Sequence, residues 1–366
     1  MKSKFFLPLL WLNFVTLFSL YSQSVRAFPF SPPLSIPDFL KGVQYNSVKV
    51  HKSGQNSDQN INLPKEVTPN SLYPTGHFQT ILIVPQDTSS ETSCQNLEDE
   101  IPTVQLTKTS TNQNVVLRDE TGTLWSGSLP SNQNSQKIPS KYLSSGKTYS
   151  LTITNPVDLS SINNMNPVDE NSSRIIPFSV ISAKDLCSDL QKLSENKDNE
   201  IDEYKKKIGE PLLYGKYSLY SYAIPKLEGL LLNNPSSKYN LTIYTYLAYY
   251  YDEVGFLEKS KDNYINALGQ AEKCSDKNKP CDLDLSFFPD KNINNIQAII
   301  NQRLGYIYLY NRSIANEQER LAKSNEFLRN AKKLYQCQDD SKDNNCQTLN
   351  KELQLLTQLE LHPPNQ

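Results

Sequence analysis

The fold is decided by the stretch from Leu241 to Glu272, LTIYTYLAYYYDEVGFLEKSKDNYINALGQAE. With Leu241 as position one, apolar residues fall at positions four, seven, eight and eleven, and the small residue Ala248 stands at eight. This spacing is typical of one face of a helix. Gly255 supplies a turn, and the second half repeats a small, large, small pattern at Ser260, Tyr264 and Ala267. The stretch therefore predicts two helices that pack closely where their small residues meet.

The same pattern recurs on both sides of this stretch. Upstream, the second-helix positions are occupied by Ala223, Leu227 and Leu230. Downstream, positions seven, eight and eleven are Leu304, Gly305 and Tyr308, and the second-helix positions are Ser324, Leu328 and Ala331. The downstream match needs an insertion of about seven residues between 311 and 319, and insertions in repeats map to loops.

These recurring positions resemble the tetratricopeptide repeat, over about residues 204–340. The resemblance implies an α-solenoid of about three helical hairpins within a helical domain at 183–366. An amphipathic segment at 348–361 is expected to cap the last pair, because terminal repeats need a covering helix. An unspecialised helical bundle is the alternative.

Pro211 conflicts with this pattern because it falls at position eight of the upstream first helix. Proline lacks the N–H that a helix interior requires, and its ring clashes with the preceding turn. We therefore expect one helix from 187 to 208, opening at Cys187, and a break at Gly209-Glu210-Pro211 that starts a new helix.

The resemblance also implies a concave, partner-facing surface, formed by positions two, five, nine, twelve and thirteen of each first helix. In the central copy these are Thr242, Thr245, Tyr249, Asp252 and Glu253, and in the next copy Ile299, Gln302, Tyr306, Leu309 and Tyr310. Tyr249 and Tyr306 would then be aromatic anchors for an extended peptide or a sugar. The alternative is that these tyrosines simply pack against neighbouring helices.

Composition limits the classes of function. The chain has 366 residues, enough for two domains, and its net charge of −2 gives no basic balance for nucleic acid. Charged residues make up 21 per cent and hydrophobic residues 37 per cent, which favours a polar surface.

The N-terminal segment is typical of an exported protein. Residues 1–27 have two early lysines, an apolar run and a small-residue cleavage site, which together predict a secretory signal peptide. An uncleaved membrane anchor is the alternative, since the run is near spanning length. Residues 28–71 are rich in proline and polar residues and predict a linker. We expect a periplasmic or extracellular protein with no stable membrane span after cleavage.

Residues 72–182 predict a β-domain. Five segments rich in β-branched and aromatic residues alternate with turn residues, and Asp119-Glu120-Thr121-Gly122 predicts a hairpin. This number of short strands favours an Ig-like β-sandwich. The fold class expected for the whole chain is therefore α+β and multidomain, with the β-sandwich preceding the α-solenoid.

Short motifs in this region resemble domain of unknown function 928, found in exported cyanobacterial proteins. They are Tyr73-Pro74-Thr75, Val84-Pro85, Val116 to Glu120 with Gly122, and Gly146 to Tyr149. In that family the β-domain precedes a helical region. The resemblance brings no established activity.

Six cysteines in an exported chain favour disulfides. Two local pairs each follow a second helix, Cys274 with Cys281 and Cys337 with Cys346, which leaves Cys94 for Cys187. Metal binding is the alternative, but the chain has no C-x-x-C motif and its three histidines lie far from these pairs.

The sequence offers little for catalysis. His77 has no nucleophile motif beside it, and twelve glycines form no phosphate-binding loop. We expect a non-enzymatic adaptor without cofactor or metal, which binds a protein or peptide through its helical repeats. The alternative is a cell-envelope glycan-binding module that acts through the β-sandwich, and an enzyme with dispersed carboxylates is a third possibility.

Overall fold

A computed structural model describes most of the chain beyond residue 69. The described residues are 70–73, 78–83, 102–105, 112–133, 135–154, 173–195, 203–233, 238–274, 282–288, 291–310, 316–338 and 343–361. The predicted signal peptide and the predicted linker up to residue 69 lie outside them. Within the described residues the protein is α+β, with a β-sheet region at 70–182 followed by eight helices.

The sheet region contains eight described strands in two sheets. They are β1 (Ser71–Leu72), β2 (Gln79–Ile83), β3 (Thr103–Gln105), β4 (Gln113–Asp119), β5 (Gly122–Leu129), β6 (Ser135–Lys137), β7 (Thr148–Thr154) and β8 (Ser173–Ser182). One sheet has the order β1-β3-β6, and the other has the order β2-β8-β7-β4-β5. The β1/β3 and β2/β8 pairs are parallel, and the remaining pairs are antiparallel.

The predicted hairpin between β4 and β5 is confirmed. Asp119 pairs with Gly122 across a two-residue loop. Asp119 Oδ1 accepts hydrogen bonds from Thr121 N at 2.8 Å and from Thr121 Oγ1 at 2.6 Å. Gly122 has φ of 135°, a backbone conformation that residues with a Cβ rarely adopt.

Alternation along the strands produces the core of the sheet region. In β7, Tyr149, Leu151 and Ile153 are buried while the residues between them are partly exposed. The ring of Tyr149 stacks on Phe178 of β8, with centroids 5.5 Å apart. Burial of one face fixes the register, because a slip of one residue would expose these side chains.

Eight described helices follow the last strand. They are α1 (Ala183–Glu195), α2 (Glu203–Lys216), α3 (Tyr220–Asn233), α4 (Asn240–Glu253), α5 (Leu257–Glu272), α6 (Ile293–Tyr310), α7 (Glu317–Leu334) and α8 (Asn344–Leu361). Consecutive helices pack against each other throughout the series. None of the described helices is both long enough and apolar enough to cross a membrane.

Two predictions about the first helices are wrong. The segment 187–208 is not one helix, because α1 begins at Ala183, directly after β8, and ends at Glu195. Nor does Pro211 start a helix, because α2 runs through it. The hydrogen bond that proline cannot donate is offset by burial of Ile208, Leu212 and Tyr214 on the same helix.

The sheet region and the first helices share a hydrophobic core. Tyr73 and Leu82 lie in the same cluster of buried residues as the interior faces of α1 to α4. The ring of Tyr73 meets that of Phe256, between α4 and α5, edge to face at 5.5 Å. The sheet is therefore held against the helices by apolar packing as well as by the direct β8–α1 connection.

One hydrogen bond is repeated at equivalent places in two helical pairs. Ser260 Oγ on α5 donates to the carbonyl of Ala248 on α4 at 2.8 Å. Ser324 Oγ on α7 donates to the carbonyl of Gly305 on α6, also at 2.8 Å. In the repeat numbering of the sequence, each bond joins position twenty to position eight. Both serines are fully buried, so each bond satisfies a polar group in the interior.

Substitution of Gly215, on α2, tests how closely α2 packs against α4. A Cβ at this position would overlap the phenol of Tyr250, which is fully buried on α4. Overpacking of this kind costs about 1–3 kcal/mol, against a gain of about 1 kcal/mol from replacing Gly by Ala inside a helix. We expect Gly215→Ala to lower the free energy of unfolding, measured by chemical denaturation.

Gly229 of α3 provides the matched control. A Cβ there would meet no atom of the described residues within 4 Å. Gly229→Ala is therefore expected to stabilise the protein by up to about 1 kcal/mol. Equal stabilities for the two variants would contradict the close approach of α2 to Tyr250.

Candidate functional site

The sequence-predicted partner surface falls on α4 and α6, and most of it is buried. Tyr249 is 8% exposed and Tyr306 is 7% exposed, so little of either ring reaches solvent. The other buried members are Thr242, Thr245, Ile299, Gln302 and Leu309. Asp252 and Glu253 are partly exposed. The side chain of Tyr310 lies outside the described residues.

Arg303 connects the α4 and α6 halves of this set. Its guanidinium Nη1 lies 3.4 Å from Oδ2 of Asp252, and the arginine side chain is only 1% exposed. Arg303 is the one charged residue in α6, and Asp252 and Glu253 are the only charged residues in α4. A charge buried this deeply is stable only beside an opposite charge and hydrogen-bond partners.

Tyr220 and Tyr249 extend the cluster to α3. Their rings meet edge to face, with centroids 6.4 Å apart, and their side chains are hydrogen-bonded. Burial raises the pKa of Tyr249 well above its ordinary value, and the neighbouring Tyr220 and Glu253 raise it further while Arg303 lowers it. Burial also raises the pKa of Tyr220, with Glu253 adding to the effect.

Tyr306 extends the cluster towards α8. Gln302 Nε2 donates to its hydroxyl at 2.9 Å, and its ring lies in one cluster of buried residues with Leu349 and Leu356 of α8. Burial, assisted by the negative charge of Glu352, raises the pKa of Tyr306 to about 12. Side chains of α3, α4 and α6 therefore meet in one polar cluster, which we call the Arg303 cluster: Tyr220, Tyr249, Asp252, Glu253, Gln302, Arg303 and Tyr306.

The Arg303 cluster combines protonated phenols with two carboxylates. Raised pKa values keep its phenols protonated at neutral pH, where they donate and accept hydrogen bonds but do not act as bases. Its groups that reach solvent are the carboxylates of Asp252 and Glu253. Such a set can bind a donor or a cation.

Sequence reasoning identified most of this cluster but missed Arg303 and Tyr220. Arg303 stands at repeat position six, outside the positions that the repeat resemblance marks as partner-facing. Its signal was present nevertheless, as the single charge in the otherwise uncharged stretch INNIQAIINQRLGYIYLY. Tyr220 had no comparable signal, because it opens α3 in a tyrosine-rich segment.

The structure joins Cys337 to Cys346, one of the two local pairings expected from the sequence. Their Cα atoms lie 5.3 Å apart, and the bond connects the end of α7 to the first turn of α8. Cys187 and Cys274 are also in disulfides, whereas Cys94 and Cys281 lie outside the described residues.

The loop before α6 has two aspartates in a small cavity of about 400 Å³, with Lys238 and Lys291 among its lining residues. Burial opposes ionisation of Asp284, but hydrogen bonds from Ser286 outweigh it and lower the pKa of the carboxyl. Nowhere in the described part of the chain do three or more His, Cys, Asp or Glu side chains come close enough to hold one metal ion.

Comparison with known proteins does not assign a family or a function to the chain. No family model, no curated protein and no solved structure matches the chain.

The buried phenols predict sensitivity to alkaline pH. Tyr306 is protonated in both states below pH 10.0, its ordinary pKa, so its contribution to stability is fully present there. Between about pH 10 and 12, Tyr306 loses its proton in the unfolded chain but keeps it in the folded protein. The free energy of unfolding then falls by about 1.4 kcal/mol per pH unit for each such group.

Tyr306→Phe removes one of these groups, so we expect a shallower fall in stability above pH 10 than in the unmodified protein. Denaturant unfolding at a series of pH values measures both slopes. An unchanged slope in the variant would mean that Tyr306 is not buried in this way.

The Arg303–Asp252 contact can be tested by a double-mutant cycle. Arg303→Met is expected to lower the free energy of unfolding by about 1.5–3 kcal/mol, the range for a hydrogen bond to a charged group. Combined with Asp252→Asn it should cost less than the sum of the single effects, with a coupling of at least about 0.5 kcal/mol. Strictly additive losses in chemical denaturation would show that the two side chains do not interact.

Proposed function

We propose that this protein is an exported, non-enzymatic adaptor that binds another protein or a peptide through its helical region. The proposal rests on architecture rather than on a catalytic constellation. Arrays of stacked helical pairs present extended surfaces on which a partner binds by complementarity, with no cofactor involved.

The observation that carries the proposal is the repeated hydrogen bond between position twenty and position eight. Ser260 with Ala248, and Ser324 with Gly305, make the same contact in consecutive helical pairs. Tyr264 and Leu328 are both fully buried at position twenty-four. This equivalence supports an α-solenoid of tetratricopeptide-like hairpins, formed by α2/α3, α4/α5 and α6/α7 and covered by α8.

The first pair departs from the other two. Pro211 stands at its position eight and Ala223 at its position twenty, so this pair has no serine hydroxyl to donate. We assign it to the solenoid because α2 packs on α3 and both share a core with α4. In the same proposal, the two sheets of residues 70–182 form an Ig-like β-sandwich on the N-terminal side of the helices.

The proposed partner surface is the face that holds the Arg303 cluster. Its buried rings fix the helices, and Asp252 and Glu253 offer charge to solvent.

Export is proposed from the N-terminal sequence and from the cysteines. Residues 1–27 have the three parts of a secretory signal, and the Cys337–Cys346 disulfide is of a kind that persists in oxidising compartments. We therefore place the adaptor in the periplasm or outside the cell.

Site-specific photo-crosslinking in the native host tests the adaptor proposal. A photoreactive residue replaces Glu253 on the Arg303 face, and in the control it replaces Asp262 of α5, whose side chain is 68% exposed. We expect one discrete protein to be crosslinked at 253 and not at 262, because binding by complementarity is confined to one face. A melting curve checks that each variant is folded.

Three outcomes count against this assignment. Equal crosslinking at both positions indicates non-specific contact. Absence of crosslinks at 253 removes the Arg303 face as the partner surface. Crosslinks found only from sites in the sheet region, with co-purifying glycan, transfer the function to that region and favour the glycan-binding alternative.

A further inference from the structure

A second surface of the helical region is a groove between α7 and α8, which we call the basic groove. It has a volume of about 670 Å³ and is open to solvent. One wall is formed by Arg329, Lys332, Lys333 and Gln336 with Cys337 at its end, and the other by Asn350, Leu353, Gln354 and Thr357. This surface is distinct from the Arg303 cluster.

The walls follow two helices. Arg329, Lys332 and Lys333 are spaced i, i+3 and i+4 on α7, and Gln336 lies in the turn after α7 ends at Leu334. Asn350, Leu353, Gln354 and Thr357 are spaced i, i+3, i+4 and i+7 on α8, over about 10 Å of helix. The groove is therefore positive along one wall and polar, with one apolar residue, along the other.

The charge of the groove is one-sided. Three of its described lining residues are cationic and none is acidic, although the whole chain has a net charge of −2. Lys332 and Lys333 lie in the last turn of α7, where cations also interact favourably with the carbonyl end of the helix. Arg329 lies about one turn earlier, so the helix end does not account for it.

Neighbouring cations on one helix face repel each other. Pairs of like charge at this spacing destabilise a helix by about 0.2–0.5 kcal/mol each. Arg329 Nε donates to Asn325 Oδ1 at 2.7 Å, which positions the guanidinium without neutralising its charge. An anion in the groove would relieve the repulsion and accept charge-assisted hydrogen bonds.

We infer that the basic groove binds an extended acidic peptide segment of a partner protein. The inference rests on the proposed adaptor function and adds a separate surface and the chemistry of its ligand. Alternate side chains of an extended peptide are about 6.6 Å apart, close to the separation of about 5–6 Å between neighbouring cations on the α7 wall. Carboxylates two residues apart would therefore meet Arg329 and one of the two lysines.

The second wall favours a peptide over a sugar chain. Exposed Gln354 has an amide that suits a peptide backbone, and partly buried Leu353 offers an apolar contact. None of the described lining residues is aromatic. Sugar recognition commonly uses aromatic rings as stacking platforms, so this lining is less suited to a glycan.

Fluorescence anisotropy with the full-length mature protein tests the inference. The probe is a labelled peptide of about eight residues with glutamate at alternate positions, and its analogue has glutamine at the same positions. We expect the acidic probe to bind with an affinity that falls as salt is raised, because the contacts are between exposed charges. The glutamine analogue should not bind.

Variants on α7 locate the binding. Arg329→Gln and Lys333→Gln should each lower the affinity for the acidic probe by about five- to tenfold, the effect expected for loss of one charge-assisted contact. The matched control is Lys323→Gln, which removes one positive charge from the same helix outside the groove, where Lys323 pairs with Glu326 at 2.9 Å. It should change the affinity by less than about twofold. Melting curves show whether each variant is folded.

The outcomes separate the possible ligands. Equal weakening by Arg329→Gln and Lys323→Gln means that only net charge matters, and this overturns the groove. Absence of binding by the acidic probe likewise overturns the inference. If a sulfated polysaccharide displaces the probe at lower concentrations than polyglutamate does, the ligand of the groove is an anionic glycan and the peptide inference is wrong.

A photoreactive residue at Gln354 distinguishes failure of the groove from failure of the adaptor function. Crosslinks in the native host to an acidic segment of one protein support the inference. If crosslinks appear at position 253 but not at 354, the groove is wrong and the adaptor function remains. If neither position crosslinks and the probe does not bind, both proposals fail.

Discussion

The helical region depends on close approach of paired helices at small residues. At Ala248 and Gly305 the helix backbone is so near its partner that a serine hydroxyl from the next helix reaches its carbonyl. A Cβ at Gly305 would lie 2.6 Å from Leu328 Cγ, well inside van der Waals contact. Because each pair of helices is fixed at this point, the larger side chains around it have defined positions. The close spacing of the helices therefore decides which residues lie on the exposed faces of α4, α6 and α7.

Beyond these contacts, tyrosine side chains form much of the interior of the helical region. Four tyrosines of α4 are almost completely buried: Tyr246, Tyr249, Tyr250 and Tyr251. Members of this set pack on rings from α3 and from the loop before α6. A phenol contributes apolar area while its hydroxyl still needs a partner. Such an interior is therefore more polar than one of leucine and isoleucine, and it can accommodate the guanidinium of Arg303 between helices.

The sequence predicted the parts of the fold that depend on local periodicity. The α4/α5 pair, the β4–β5 hairpin and the change from strands to helices near residue 182 follow from spacing and turn residues. The continuity of α2 through Pro211 could not be predicted, because tertiary burial outweighs a local penalty. Likewise, the repeat positions identified the residues on one face of α4 and of α6. They could not show how far the neighbouring helices bury Tyr249 and Tyr306. The basic groove was missed because its walls belong to separate helices.

The shared core of sheet and helices includes Tyr220 and Tyr249 of the Arg303 cluster, the first of the two proposed binding surfaces. Tyr73 packs on Phe256, so the sheet supports the turn between α4 and α5 that follows Asp252 and Glu253. Tyr306 of the same cluster lies in one group of buried residues with Leu349 and Leu356 of α8, and α8 also forms one wall of the basic groove. The Cys337–Cys346 disulfide fixes α8 to α7. Because Glu352 of α8 helps to raise the pKa of Tyr306, the helix that forms a wall of the basic groove also acts electrostatically on the Arg303 cluster.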